Sequence, residues 1–252
     1  MDDNRKKIDW KDIKVSVDWT HFWVDGKRFF AREFKSVLKF HAPGLAPVET
    51  EKGWSFIDVS GEAAIPGPFL KAWGFYYGFS AVEDETGSFH IRPDGSALYE
   101  ERYAWVGNFQ EGICTVCDAM GNYFHIGSDG RRVYKENHRY AGDFKDGFAA
   151  VMLKNGKFKH IDRDGKFIYT AEFQELGVFH KGYATARDAA GWMHIDLNGN
   201  PLYEERYLSM EPFYNGKAFS KGNSGKQLIV LSSGQSKALN IRDDSWPAAV
   251  DE

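Results

Sequence analysis

Apolar and polar residues along this chain alternate in short runs that break at glycine, and the breaks recur at a fixed interval. The stretch FKDGFAAVMLKNGKFKHIDRDGKFIYTAEF, Phe144 to Phe173, shows the unit. Alternation through Ala149 and Val151 stops at Lys154-Asn155-Gly156, resumes over Phe158-Lys159-His160-Ile161-Asp162, and stops again at Arg163-Asp164-Gly165. Glycine after Asn or Asp supplies the positive φ that a tight hairpin demands, so the pattern predicts strand, turn, strand, turn, strand. A fourth short strand is expected before the next Phe, as in Tyr103 to Phe109. No stretch sustains a period near 3.6 residues, so helix content should be low.

The repeat runs almost end to end. One glycine column is Gly44, Gly78, Gly112, Gly147, Gly182 and Gly216; a second is Gly53, Gly87, Gly121, Gly156, Gly191 and Gly225. The third, Gly26, Gly61, Gly95, Gly130, Gly165, Gly199 and Gly234, has one member more, and all steps are 34 or 35 residues. Two residues after the first glycine stand only small side chains: Ala46, Ser80, Cys114, Ala149, Ala184 and Ala218. Two further on come Val48, Val82, Val116, Val151, Ala186 and Ser220, on the same face because strand side chains alternate. Small residues at one level imply close approach between neighbouring units. Four residues after the third glycine, Phe30, Tyr99, Tyr134, Tyr169 and Tyr203 form an aromatic column interrupted by Ile65, large enough to fill the wedge between adjacent sheets.

The pattern F-x-x-G-x-A-x-V, then Gly, then an aromatic, one residue, a ring and Ile-Asp-x-x-Gly resembles the bacterial WG repeats, also called KWG repeats. Gly53-Trp54-Ser55-Phe56-Ile57-Asp58-Val59-Ser60-Gly61 is the nearest single match. The Trp-Gly pair that names the family is missing from its column, since Trp54 and Trp192 precede Ser55 and Met193; Trp73-Gly74 falls elsewhere in the unit. The resemblance, over residues 15 to 238, is therefore to a divergent branch, with His where the family has Tyr or Phe before Ile-Asp. It implies an all-β repeat array and no established activity.

Composition narrows the classes. Lys+Arg 32 against Asp+Glu 36 gives a net charge of -4 with the signs interleaved, so no basic stripe runs along the chain and nucleic acid is not the expected partner. Apolar runs are far too short to span a bilayer, and the start MDDNRKKIDWKD has no signal-peptide stretch, so no membrane partner and a cytoplasmic location are expected. Two cysteines cannot form a disulfide framework.

Chemistry concentrates in one column. Five residues before the third glycine stand His21, Phe56, His90, His125, His160 and His194; two before it lies an aromatic in most units, Trp192 among them, and two after it Asp58, Asp162 or Asp196. Alternation puts ring, imidazole and carboxylate on one strand face, with Ile91, Ile126, Ile161 and Ile195 on the other. If those faces converge, His90, His125, His160, His194 and Trp192 bind a ligand. His125, His160 and His194 with Asp162 and Asp196 could then hold a divalent metal, imidazole and carboxylate suiting zinc or non-haem iron. The competing reading makes the histidines packing residues whose nitrogens bond turn backbone.

Other motifs weigh less. Cys114 and Cys117 have CxxC spacing, but their odd separation sends the thiols to opposite faces. Gly222-Asn223-Ser224-Gly225-Lys226 lacks phosphate-loop spacing and reads as a turn. The pentapeptide Tyr-Glu-Glu-Arg-Tyr recurs at Tyr99–Tyr103 and Tyr203–Tyr207 and reads as a solvated, self-paired loop. His138 and His180 read as loop residues, and no catalytic constellation is recognised, so an enzymatic role stays open.

Units this short must bury their faces on neighbours. The expected fold is an all-β array of tandem hairpin or meander repeats, propeller-like or toroidal, with an open β-solenoid as the alternative. Residues 1–14 are expected as a charged extension, 15–238 as a single repeat domain and 239–252 as a tail. The expected function is a non-catalytic module binding a protein or small-molecule ligand; the alternative is a metal-binding protein or metal-dependent enzyme built on the His/Asp column.

Overall fold

The computed structural model describes residues 8–222, 227–231 and 236–238. The chain divides into two compact units, Met1–Asn137 and His138–Glu252, each considered by itself. Small antiparallel sheets, seven among the described residues, follow one another in sequence. In the first unit, sheet 1 is Lys14–Val15, Phe22–Val24 and Lys27–Arg28, and sheet 2 is Ser36–Val37, Ala46–Thr50, Gly53–Ile57 and Ala63–Phe69. Sheet 3 is Lys71–Tyr76, Phe79–Asp84 and Gly87–Ile91; sheet 4 is Trp105–Val106, Ile113–Cys117 and Tyr123–Gly127. The second unit holds sheet 5 (Tyr140–Ala141, Ala149–Met152, Phe158–Ile161) and sheet 6 (Glu175–Leu176, Ala184–Asp188, Gly191–Ile195). Sheet 7 is Ser209–Met210, Lys217–Lys221, Gln227–Leu231 and Ser236–Ala238. One 3-10 turn, Trp10–Asp12, and no α-helix occurs among the described residues, as the lack of helical periodicity predicts.

Each sheet is a meander, because each turn has the backbone a hairpin needs. Asp146 and Gly147, at φ 51° and 83°, form the two-residue turn between the first strands of sheet 5, and the first glycine column repeats it at Glu111-Gly112, Lys181-Gly182 and Asn215-Gly216. Register then sets the burial. In sheet 5, Ala149 pairs with Ile161 and Ala150 with His160, and Ile161 and His160 are both wholly enclosed, so the sheet is covered on both faces at this level. The small column pairs with an aliphatic throughout: Ala46 with Ile57, Ser80 with Ile91, Cys114 with Ile126, Ala184 with Ile195 and Ala218 with Val230. Each such Ile stabilises the stack by about 1.5–3 kcal/mol through apolar burial.

The aromatic column fills the space between successive sheets, as its size suggests. Tyr169 lies against Gly199 of the following unit so closely that a Cβ there would sit 2.8 Å from the ring; Tyr99 meets Gly130 in the same way, at 2.6 Å. Gly61, Gly130 and Gly199 of the third column are thus fixed by a neighbour's ring as well as by their positive φ.

Two expectations need correction or relocation. The segment expected as a unit's fourth strand contains Trp105–Val106, which pairs with Val116 and Cys117 and so opens the next sheet. The outer edge of sheet 3 is closed instead by two isolated bridges, Ile91 with Ala97 and Ser88 with Tyr103; between them the chain leaves the ladder and carries Tyr99 inward. Sheets 5 and 6 do the same, at Phe167 and Phe173 and at Pro201 and Tyr207. The expected charged extension packs from Ile8 onward: Asp9 caps the 3-10 turn through the Lys11 N–H, Ile13 is buried, and Ile8 and Trp10 lie on the sheet 1 core. Residues 1–7, the expected tail 239–252 and the turn 223–226 lie outside the described residues.

Candidate functional site

The third strands of sheets 3, 4, 5 and 6 aim their histidines, His90, His125, His160 and His194, inward. His160 accepts at Nδ1 from the Tyr169 hydroxyl, 2.6 Å away, and donates from Nε2 to the Gly177 carbonyl at 2.8 Å. A carbonyl can only accept, so Nε2 carries the proton and Nδ1 presents the lone pair. Gly177 follows Glu175–Leu176, so the imidazole ties its own sheet to the next one. His90 repeats this with Tyr99 (2.7 Å) and Gly107 (2.9 Å), and His194 with Tyr203 (2.6 Å) and Glu211 (2.9 Å). His125 bonds Tyr134 in the same way. Tyr203 Oη also accepts the His194 backbone N–H at 3.1 Å, which fixes the direction of its own proton toward Nδ1.

Each ring is further enclosed by a phenylalanine of the following unit: His160 on Phe179 at 4.2 Å between centroids, His194 stacked on Phe213 at 3.9 Å, His90 edge-on to Phe109 at 4.7 Å. Burial pushes His90, His160 and His194 down to about 4, partly offset by the carbonyl each faces, and the imidazoles are neutral near pH 7. Burial pushes the hydroxyls of Tyr99, Tyr134, Tyr169 and Tyr203 up.

One unit solves the same problem without imidazole. Phe56 takes the histidine place and Ile65 the tyrosine place, so both polar partners are absent together. The carbonyl they leave, that of Trp73, is met by Ser80 Oγ at 2.7 Å from the small column, where sheet 6 has Ala184. Cys114 occupies that column in sheet 4, and its thiol shares the Gly107 carbonyl with His90 at 3.3 Å. His21, the first member of the column, is part-exposed and bonds Thr20 Oγ1 at 2.9 Å, with Phe30 in the tyrosine place.

The aspartates expected to join the histidines lie elsewhere. Asp162 Oδ1 accepts the N–H groups of Asp164 and Lys166, both at 2.9 Å, and Asp196 Oδ1 those of Asn198 and Asn200 at the same distance. Burial acts to raise the Asp196 carboxyl, but the Asn200 and Asn198 bonds outweigh it and hold the group below the usual range. Among the described residues no three His, Cys, Asp or Glu side chains gather in a way that could hold a metal ion. Trp192 is half-buried on the sheet 7 core. Cys114 and Cys117 are free, buried thiols.

The repeated pentapeptide is organised by its arginine rather than merely solvated. Arg102 donates to the carbonyls of Glu100 and Glu101 and lies 3.6 Å over the Phe89 ring. Arg206 reaches the carbonyls of Tyr203, Glu204 and Glu205 and pairs with Asp188 at 2.8 Å. These bonds hold the bulged edge that delivers the tyrosine to its histidine. Residue pattern alone missed the Ser80 replacement and the exposed hairpin-tip lysines Lys145, Lys181 and Lys217; comparing units that break the His column with those that keep it would have exposed the first.

The WG containing repeat model matches residues 139–158 and 161–189. Solved structures similar to the chain include the computationally designed Ika8 protein (11% identity, 90% of this chain and 83% of that one, TM-score 0.49). BamB from Moraxella catarrhalis is similar at 13% identity over 91% and 87% of the two chains, with a TM-score of 0.47. The C-terminal WD40 domain of Sif2 is similar at 8% over 79% and 67%, with 0.42. No curated protein matches by sequence. No helix of the described residues is long and apolar enough to cross a membrane. The match identifies residues 139–158 and 161–189 as similar to WG-containing repeats and supports a WG-repeat family for that part of the chain.

Proposed function

We propose that the chain is a non-catalytic repeat scaffold that binds a protein partner through its exposed turns. One observation carries the reading: at His90, His160 and His194 both ring nitrogens are used inside the fold, one on a tyrosine and one on the next sheet's backbone. A general base or a metal ligand needs a lone pair facing its substrate or ion, and here that lone pair receives a tyrosine proton. The regular column therefore supports the stack, and recognition falls to positions that differ from unit to unit. Those positions are the hairpin tips, two-residue turns that expose Tyr77 or Lys181, or Tyr214 just before Asn215-Gly216. Exposed tyrosines on a stiff support give contact area at small entropic loss.

The test is affinity capture with the full chain, identification of the retained protein, and titration with that protein purified. Saturable binding that weakens on tip substitutions while circular dichroism and melting stay unchanged is the expected result. Substrate turnover by the purified chain that disappears in His160→Phe would overturn the reading.

A further inference from the structure

We infer that the hairpin tips of sheets 5, 6 and 7 form a basic docking face for an acidic segment of a partner protein, a proposal that rests on the scaffold reading and names the partner's chemistry. The three tips are Lys145-Asp146-Gly147-Phe148, His180-Lys181-Gly182-Tyr183 and Tyr214-Asn215-Gly216-Lys217, each closed by a bridge between its first and last residue. They lie side by side. Asp146 Oδ2 accepts the Lys181 N–H at 2.7 Å and lies 3.8 Å from His180 Nδ1, which joins the first two. The Phe148 ring packs on Phe179 at 5.4 Å and Tyr183 on Phe213 at 5.4 Å, which sets each tip against the next.

The charge of these tips departs from the rest of the molecule. The net charge of the chain is -4, yet the tips carry Lys145, Lys181 and Lys217 against the single carboxylate of Asp146, itself bonded to backbone. Several other cations of this unit meet acids: Lys159 with Glu172, Lys166 with Asp164, Arg187 with Glu175, Arg206 with Asp188. Among the described residues Lys145, Lys181 and Lys217 form no ion pair, and all three are exposed. The equivalent tips of the first unit, Tyr76-Tyr77-Gly78-Phe79 and Gln110-Glu111-Gly112-Ile113, carry no lysine or arginine, so the cations are not a requirement of the turn. Tyr214, 74% exposed on its rigid turn, adds one aromatic contact beside them. Three separate ammonium groups around a carboxylate suit spaced Asp and Glu side chains; a nucleic-acid strand needs a continuous basic track, which Asp146 interrupts.

The experiment is fluorescence anisotropy of a fluorescein-labelled decaglutamate peptide with the full-length chain at low salt. Saturable binding is expected. Lys145→Glu, Lys181→Glu and Lys217→Glu together should weaken it at least tenfold, and the neutral glutamine triple variant by an intermediate factor. The same charge change at Lys154, Lys157 and Lys166, in the other turns of this unit, should alter it less than twofold. Raising salt from about 50 to about 300 mM should weaken binding severalfold by screening. Equal losses in both reversal sets, no saturable binding, or tighter binding of a ten-nucleotide single strand than of the peptide would each overturn the proposal. A captured partner held equally by the wild-type chain and the Lys145/Lys181/Lys217 variant would overturn it while the scaffold reading stands; His160-dependent turnover would remove the scaffold reading itself.

Discussion

Replacing His160 with Phe removes two hydrogen bonds and leaves the shape of the ring nearly unchanged. Buried in the second unit, it leaves the Tyr169 hydroxyl and the Gly177 carbonyl without their 2.6 and 2.8 Å partners. Each orphaned buried group costs about 1–3 kcal/mol, so the loss from two should be roughly 2–6 kcal/mol. At about 4 °C per kcal/mol for a unit of this size the melting temperature should fall by roughly 8–24 °C. The Phe56, Ile65 and Ser80 arrangement says how to reverse it: Tyr169→Ile removes the stranded hydroxyl, and Ala184→Ser supplies a donor to Gly177 as Ser80 does to Trp73. The triple variant should recover more than half the loss. Urea unfolding followed by tryptophan fluorescence, with all single and double variants, reads both the stability and the coupling, expected at about 1–2 kcal/mol between positions 160 and 169. A His160→Phe chain as stable as wild type, or a triple variant no better than the single one, would refute the view that this hydrogen-bond demand holds sheet 5 to sheet 6.

Three further outcomes follow from the same geometry. His90, His160 and His194 sit near 4 when folded against about 6.5 unfolded, so the unfolded chain binds more protons between those values. Stability is therefore complete above about pH 6.5 and falls as pH drops toward 4, by about 3 kcal/mol per histidine, and His160→Phe should flatten the denaturation-midpoint profile by about one proton's slope. Stripping with a chelator should leave the melting temperature unchanged, because the column's nitrogens are already bonded; stoichiometric metal in the purified chain would contradict that. Gly199→Ala, whose Cβ would sit 2.8 Å from the Tyr169 ring at φ 76°, should destabilise by about 2–4 kcal/mol, whereas Gly112→Ala, with nothing within 4 Å, should lose only about 1 kcal/mol, compared by urea midpoints.

What could be read from the sequence is what side chains announce. Turn glycines mark the hairpin ends, whereas the small column and the rings of Tyr99, Tyr134 and Tyr169 mark fixed levels that the structure buries. The histidines were legible as a column, and so was the tyrosine nine residues later, but their bond was not, because the tyrosine leaves the ladder to reach the ring. The second partner, seventeen residues on, is a main-chain carbonyl and leaves no trace in residue type: Gly107, Gly177 and Glu211 all serve. Trp105 and Val106 could pair backward or forward by pattern alone, and only the register with Cys117 and Val116 decides. The clue that was present, Phe56 and Ile65 departing from their columns together, reports a hydrogen bond between the two columns.

That main-chain acceptor also bears on how such a chain grows. A joint between two side chains would require every newly added copy to bring the matching residue, and a mismatch would strand a buried polar group. Here each copy offers its carbonyl whatever residue carries it, Gly or Glu alike, so a copied segment meets its predecessor's imidazole at once. In-frame duplication of one repeat therefore yields a neighbour that already carries the acceptor its predecessor's imidazole needs.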